Sequence, residues 1–486
     1  GLSGDAQALN LIFLLTDDQD VVLGGLTPQT KINRLLTQQG ALFVNAFVHT
    51  PVCCPSRSSF LSGRHIRNGG AINNSVSGNC AGPEWVNVVQ HRTFATHLHD
   101  AGYYTSYAGK YLNDYALPGS PNCTHETPEA CAAIPPGWDR WLGLFGNSKY
   151  YNYTVSDDGV PVDHGDDYTN DYFPDLVANR TIGFIYEAAR VAPDRPILAV
   201  NAWPTPHGPH PPAPWAAGRY AGYQAPRTPS YNASSEYMAT KNYFMRQLDM
   251  IWPEDAQSID VNYQQRWETL LSVDNHVESI VQALADTGRL NNTFIIYASD
   301  HGFQLGQHRL LGDKRHQYEN DIRIPFIVRG PGVPPNSTET RTVLNIDIAP
   351  TLTELGTGAV PDDMDGRSFA SFFSESPPSS WRQDFMIEYH GEAGPCGYYT
   401  CPPAAHPHMH EIDGVNNTYT CVRTLNETEN SLYCEFVDAE QYKEYYNIAL
   451  DYWQLNNTFA SLPDSKREAL ATRLQQFREC TGATCR

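Results

Sequence analysis

Six apolar runs lie in the first 330 residues, and each stops abruptly at a polar or glycine-rich segment. "LNLIFLL" (9–15) gives way to Thr16-Asp17-Asp18-Gln19-Asp20, and "ALFVNAFV" (41–48) runs into "HTPVCCPSR". "YYTSYAG" (103–109) ends at Lys110, "PILAVNAW" (196–203) at "PTPHGPH", and "TFIIYAS" (293–299) at Asp300-His301-Gly302; "IPFIVRG" (324–330) is the sixth. Short continuous apolar runs of this kind read as strands buried on both faces. Longer mixed segments separate them, which predicts a mostly parallel sheet with crossover helices, an α/β architecture. In such sheets ligands bind outside the carboxyl ends of the strands, where the polar residues of this chain collect.

The remaining pattern is less regular. Residues 113–175 are rich in Gly, Pro, Asn and Tyr and predict long surface loops around the cleft. "TVLNIDIAPTLTELGTG" (342–358) reads as a turn at a strand edge followed by a helix with a glycine stop. "SFFSESPPSSWRQ" (371–383) is the most linker-like stretch. Beyond it, "DFMIEYH", "TYTCVRTL" and a helical segment near 464–477 predict a small antiparallel sheet with a terminal helix. Two units follow: residues 1–372, carrying the chemistry, and a smaller α+β unit at 380–486.

Composition narrows the function. A chain of 486 residues with 41% hydrophobic and 18% charged positions can bury a large core. Its net charge of −21 argues against nucleic acid as the main partner, and against a long polyanion unless a local basic cleft overrides the field. No run approaches the roughly 20 apolar residues that span a bilayer, so no membrane span is expected. Ten N-x-Ser/Thr acceptors (Asn73, Asn122, Asn152, Asn179, Asn232, Asn291, Asn336, Asn416, Asn426 and Asn456) point to glycosylation in the secretory pathway. The chain starts at Gly1, as a processed form would. Eleven cysteines include four close pairs, Cys123/Cys131, Cys396/Cys401, Cys421/Cys434 and Cys480/Cys485, which predict local disulfides in an oxidising compartment. A secreted or lysosomal/vacuolar location is expected, extracellular before the others.

Eleven is odd, so at least one cysteine has another use, and Cys53-Cys54 stand where the chemistry is densest. Asp17, Asp18 and Asp20 fit either a hard-metal site or a solvated helix cap, and Asp300-His301 at a second strand end favours the metal. Asp20 could orient its neighbours or cap the turn. Pro55 in the first turn after Cys53 predicts a helix whose N-terminus suits an anion, with Arg57 one turn on pointing back to it.

Cys53-x-Pro55-Ser56-Arg57 followed by Leu61-x-Gly63-Arg64 resembles the type I sulfatase signature. The resemblance extends through "TDDQD", "GKYLNDY", "PTPHGPHPPAP", "SDHG" and "GDKRHQYENDIRIPFIVRGPG", in order over about the first 370 residues. It is greatest to the arylsulfatase and N-acetylglucosamine-6-sulfatase branch. It implies an alkaline-phosphatase-like fold, and conversion of Cys53 to formylglycine by a formylglycine-generating enzyme. Hydrated, that residue attacks the sulfur of a sulfate monoester with one hydroxyl, and loss of the other's proton releases sulfate; a serine would remain as a stable ester. Asp17, Asp18, Asp300 and His301 would bind Ca²⁺ together with residue 53. Arg57 would hold the hydrate, Lys110 and Lys314 the sulfate oxygens, and His207 would protonate the leaving group. Many sulfatases carry a histidine two residues after the first lysine; here that position is Leu112, which leaves His308 and His49 as candidate bases. With Cys53 set apart, ten cysteines remain, and Cys54 can pair with Cys80.

The implied activity is hydrolysis of sulfate monoesters, either small molecules or glycan ends. Aryl sulfates come first because of the negative charge, and glucosamine 6-sulfate second. A phosphodiesterase or phosphomonoesterase of the same superfamily is less supported, since such enzymes usually use Ser or Thr with two metals and more His/Asp ligands; so is a binding glycoprotein with a dead site, since Cys53, Arg57 and Lys110 are all present. Mass spectrometry of the Cys53 peptide should show a loss of aldehyde size at Cys53 with Cys54 unmodified or disulfide-bonded. Cys53→Ser should turn over at most once; sustained turnover by that variant or by an unmodified thiol would refute the mechanism.

Overall fold

The computed structural model describes residues 8–121, 123, 131–374, 376–392 and 413–486. In its first part lie β1 (Asn10–Thr16), β2 (Ala41–Phe43), β3 (Ala46–Phe47), β4 (Tyr104–Gly109), β5 (Arg140–Leu144) and β6 (Tyr153–Asp157). They are followed by β7 (Val160–His164), β8 (Ile197–Ala202), β9 (Thr293–Ser299), β10 (Phe326–Arg329), β11 (Ser337–Glu339) and β12 (Val343–Leu344). Ten of them form one sheet in the order β11-β2-β10-β9-β1-β8-β4-β5-β6-β7, while β3 and β12 pair separately. The middle, β9-β1-β8-β4-β5, is parallel; β10, β6 and β7 join antiparallel.

Strand periodicity explains why β1 is apolar from Leu11 to Leu15. Leu11, Phe13 and Leu15 enter one core and Ile12 and Leu14 the other, so both faces are covered. The first core takes Phe60 and Leu61 of the helix Cys53–Ser62, Leu98 of Phe94–Asp100, and Leu352 of Ile348–Thr357. The second takes Val177 and Phe184 of Phe173–Val191, and Val273, Val277 and Ile280 of Pro253–Asp286. The result is the α/β, mostly parallel sheet flanked by helices that the apolar runs predict.

Three segments differ from expectation. "ALFVNAFV" is two short strands in different sheets, β2 and β3, because the chain leaves the large sheet after Phe43. Region 113–175 holds β5, β6 and β7, which extend the sheet; β7 has no fully buried residue and lacks the continuous apolar run that marks a central strand. "IPFIVRG" supplies an antiparallel strand, β10. The helix stop at Gly358 is as expected, with φ +80°.

The C-terminal sheet is antiparallel in the order β13 (Asp384–Tyr389), β14 (Tyr419–Leu425), β15 (Asn430–Phe436) and β16 (Lys443–Asn447), with the helix Asp464–Glu479 packed on it. One apolar cluster runs unbroken from β1 into Ile387, Tyr419 and Phe436 of this sheet. Disulfides join Cys54–Cys80, Cys123–Cys131, Cys421–Cys434 and Cys480–Cys485. Cys396 and Cys401 lie outside the described residues, as does Asn122. Of the other acceptor asparagines, Asn152, Asn179, Asn291, Asn336 and Asn456 are exposed, and Asn73, Asn232, Asn416 and Asn426 half-buried. No described helix is long and apolar enough to cross a membrane.

Glu388 of β13 is buried beside Arg67 (Nη1 at 3.3 Å) and His65 (Nδ1 at 3.9 Å). Burial pushes its carboxyl up to about 7 against the pull of Arg67. The folded state therefore binds a proton that the unfolded chain releases between about pH 4.5 and 7. This contribution is full below that window and lost as pH rises through it. Glu388→Gln should remove a stability difference on the order of 3 kcal/mol at most between pH 4.5 and 7.5, read by denaturant unfolding of both proteins at each pH.

Candidate active site

Four central strands deliver their C-terminal residues to one place. Asp17 and Asp18 follow β1, Lys110 follows β4, the loop after β8 carries His207, and Asp300-His301 follow β9. Asp18 sits at φ +68°, a conformation that Asp adopts more readily than most residues, and its N–H donates to Asp300 Oδ1 at 3.0 Å. Gly109 is required before Lys110: its φ is +123°, and a Cβ there would lie 1.8 Å from the Ala202 carbonyl. The helix Cys53–Ser62 brings Cys53 and Arg57 to the same point, its first turn held by the Cys54 N–H donating to Asn74 Oδ1 and its end by Gly63 at φ +71°.

The cluster is an alternation of buried charges. Lys110 Nζ donates to Asp17 Oδ2 at 2.7 Å, and Lys314 Nζ to both oxygens of Asp18 at 2.7 and 3.0 Å. Arg57 Nε donates to Asp300 Oδ2 at 2.9 Å and Nη1 to the Lys110 carbonyl at 2.7 Å, while Nη2 lies 3.7 Å from Asp17 Oδ1. His301 Nε2 lies 3.4 Å from Cys53 Sγ and 3.5 Å from Oδ1 of both Asp18 and Asp300, with Nδ1 on the Gly302 carbonyl. Each of these side chains is at most 4% exposed, and Cys53 alone is an unpaired cysteine among the described residues. His207 is half-buried, with Nδ1 2.8 Å from the Gly208 carbonyl.

Burial alone would raise the Cys53 thiol, but Lys110 and Lys314 pull it well below its usual range. Asp17 is likewise held low against burial, first by Lys110, and Asp18 chiefly by Lys314. Asp300 is pushed up to about 7 by burial and by Asp17. His301 rises to about 9 despite burial, because Asp300 and Cys53 favour its charged form. Burial disfavours protonated His207 too, yet Asp18 and Asp17 raise it.

Ligand atoms of Asp17, Asp18, Cys53 and His301 lie within 4.8 Å of one another, and Asp17 Oδ1 and Arg57 Nη2 are buried without a hydrogen-bond partner. A carboxylate-rich pocket with an unpartnered buried oxygen fits a divalent cation. Asp20 stands apart: its Oδ2 accepts from the Leu23 and Gly25 N–H groups, and Oδ1 faces Arg266. His49 bonds to Asn345 and Ser59, and His308 stacks on Tyr318, so the structure brings neither candidate base to the thiol. Two contacts were not visible in the motifs. Ser148 Oγ donates to Asp17 Oδ2, and Ser56 Oγ donates to the Asp300 carbonyl, with Asn345 Nδ2 donating to Ser56. Ser56 lies inside the signature, whereas Ser148 sits in an unpatterned loop.

The chain is a sulfuric ester hydrolase with an alkaline-phosphatase-like fold. A family described as Sulfatase matches residues 9–359, and the chain belongs to the sulfatase family. It is 38% identical to the N-acetylglucosamine-6-sulfatase of Capra hircus, covering 100% of this chain and 87% of the relative. It is 38% identical to the extracellular sulfatase SULF-1 homolog of Drosophila melanogaster over 79% of this chain and 33% of the relative. With the arylsulfatase of Volvox carteri identity falls to 26%, covering 99% and 76%. Among solved structures, BT4656 in complex with its substrate D-glucosamine-2-N,6-O-disulfate superposes with a TM-score of 0.72 at 22% identity, covering 97% of this chain and 98% of the other.

Among the described residues, Arg57 is the only side chain that meets Asp300 and Asp17 together with the Lys110 carbonyl. Arg57→Ala should destabilise the fold by about 3–5 kcal/mol, because it leaves buried carboxylates uncompensated, and should lower turnover at least about 100-fold. Arg57→Lys should rescue neither, since an ammonium cannot reach both partners. Denaturant unfolding and turnover measured together check this; near-normal values in both would contradict the assignment.

Proposed function

We propose that the chain removes the 6-sulfate from glucosamine residues at glycan ends, using a formylglycine made from Cys53 and a bound Ca²⁺. The observation that carries the substrate is the 38% identity to an N-acetylglucosamine-6-sulfatase along the whole chain, against 26% to an arylsulfatase. This reverses the order drawn from net charge. A charge of −21 is a property of the whole surface, whereas the cations that meet a sulfate are gathered within one buried cluster.

Formylglycine hydrate supplies two hydroxyls on one carbon, so sulfate can leave without a stable ester remaining on the protein. Asp17, Asp18, Asp300 and His301 would hold Ca²⁺, which would favour the ionised form of a hydroxyl at position 53. The chain's own groups account for the rest. Lys110 and Lys314 offset charge on the sulfate oxygens, and Arg57 keeps residue 53 and Asp300 in register. His207, whose proton is favoured by Asp18 and Asp17, donates to the leaving oxygen. Ser148 fixes the rotamer of Asp17.

The same reading places residues 1–372 as the catalytic unit and 380–486 as its smaller companion. Maturation by a formylglycine-generating enzyme, N-glycans on the exposed acceptors, and a secreted or lysosome-type location follow from it. Disulfides in the structure and an extracellular sulfatase among the relatives support that location. A panel of N-acetylglucosamine 6-sulfate, an aryl sulfate and an aryl phosphate tests the substrate. Expected is a kcat/KM at least about 10-fold higher for the sugar sulfate than for either aryl ester. The reverse order would restore the arylsulfatase reading, and preference for the phosphate would point to the phosphoesterase one.

A further inference from the structure

Lys314 lies between two residues with left-handed backbones, Asp313 at φ +86° and Arg315 at φ +97°. Neither is glycine, and each such residue costs roughly 1–2 kcal/mol, so this turn persists only where its surroundings impose it. Much of that support comes from the C-terminal sheet. The Arg315 carbonyl accepts two hydrogen bonds, from Asn417 Nδ2 at 3.2 Å and from Tyr419 Oη at 3.2 Å. Both donors are buried; Tyr419 belongs to β14, and its ring packs between Tyr389 and Phe436. Further along, Gln317 Nε2 donates to Glu444 Oε2 at 2.9 Å and the Glu319 N–H to Gln454 Oε1 at 2.8 Å, so the whole 315–319 segment is tied to residues beyond position 410.

A lysine ammonium is a point charge on a flexible stem, and its aim depends on where its backbone is rooted. We infer that Tyr419, assisted by Asn417, is a positioning residue for Lys314: its hydroxyl holds the strained turn that presents the ammonium to the sulfate. This rests on the reading of Lys314 as a sulfate-binding group. The C-terminal sheet thus takes part in the site through Tyr419.

Tyr419→Phe keeps the ring and its packing and deletes one hydrogen bond on the Arg315 carbonyl. The test is calorimetric titration of inorganic sulfate into the full-length parent, Tyr419→Phe, Lys314→Met and the double variant, with thermal unfolding as the check on folding. Lys314→Met should weaken sulfate, and Tyr419→Phe should weaken it about 3- to 10-fold. In the Lys314→Met background Tyr419→Phe should have no further effect, the non-additivity that marks action through the lysine. Should Tyr419→Phe unfold, Asn417→Ala takes its place in the cycle with the same expectation. Parent-like sulfate affinity in Tyr419→Phe, or an equal loss in both backgrounds, overturns the positioning role. Unchanged affinity in Lys314→Met overturns the reading of Lys314 itself, and with it this inference.

Discussion

The molecule depends on neutralising three carboxylates, Asp17, Asp18 and Asp300, that the central sheet buries at the ends of two adjacent strands. A single unpaired buried carboxylate would cost about 3–5 kcal/mol, a large share of the stability of an ordinary domain. Here each has its own cation at hydrogen-bonding distance: Lys110 for Asp17, Lys314 for Asp18 and Arg57 for Asp300. The three cations come from a strand end, a loop and a helix. The site therefore completes itself only when those elements have packed, and the packing is favoured in turn by the charges it brings together.

The same arrangement makes chemistry possible. Cations placed to offset carboxylates also lower the Cys53 thiol, and in the proposed function the two lysines among them meet the sulfate. Lys110, Lys314 and Arg57 stand against three acids, and in the proposed reaction they and a divalent cation together offset the negative charge of the sulfate ester. Rigidity is supplied from behind. Ser56 ties the helix Cys53–Ser62 to Asp300, Asn345 ties Ser56 to the turn before the helix Ile348–Thr357, and the C-terminal sheet holds the turn at Lys314.

Much of this was legible in the chain. The central strands could be read because a strand covered on both faces is apolar along most of its length, a pattern that needs no partner to be recognised. β5, β6 and β7 could not, because strands at a sheet margin alternate weakly and lie among turn residues. Asp17, Asp18, Cys53, Arg57, Lys110, Asp300, His301 and Lys314 were visible because each follows an apolar run or sits in a recognisable motif. Ser148 was not, since nothing local marks a serine whose partner, Asp17, is 131 residues away. In the proposed function the ranking of substrates drawn from net charge is reversed for a related reason: total charge says nothing about where the cations are.

What the chain determined by itself was the set of chemical groups and the order in which strands would present them, because burial pattern and motif spacing are local properties. Only the tertiary structure decided which carboxylate meets which cation, that Cys54 closes on Cys80 while Cys53 stays unpaired, and that His49 and His308 point elsewhere. Those outcomes are set by distances across the sheet between residues far apart in sequence, where the free energy of pairing depends on position and not on composition.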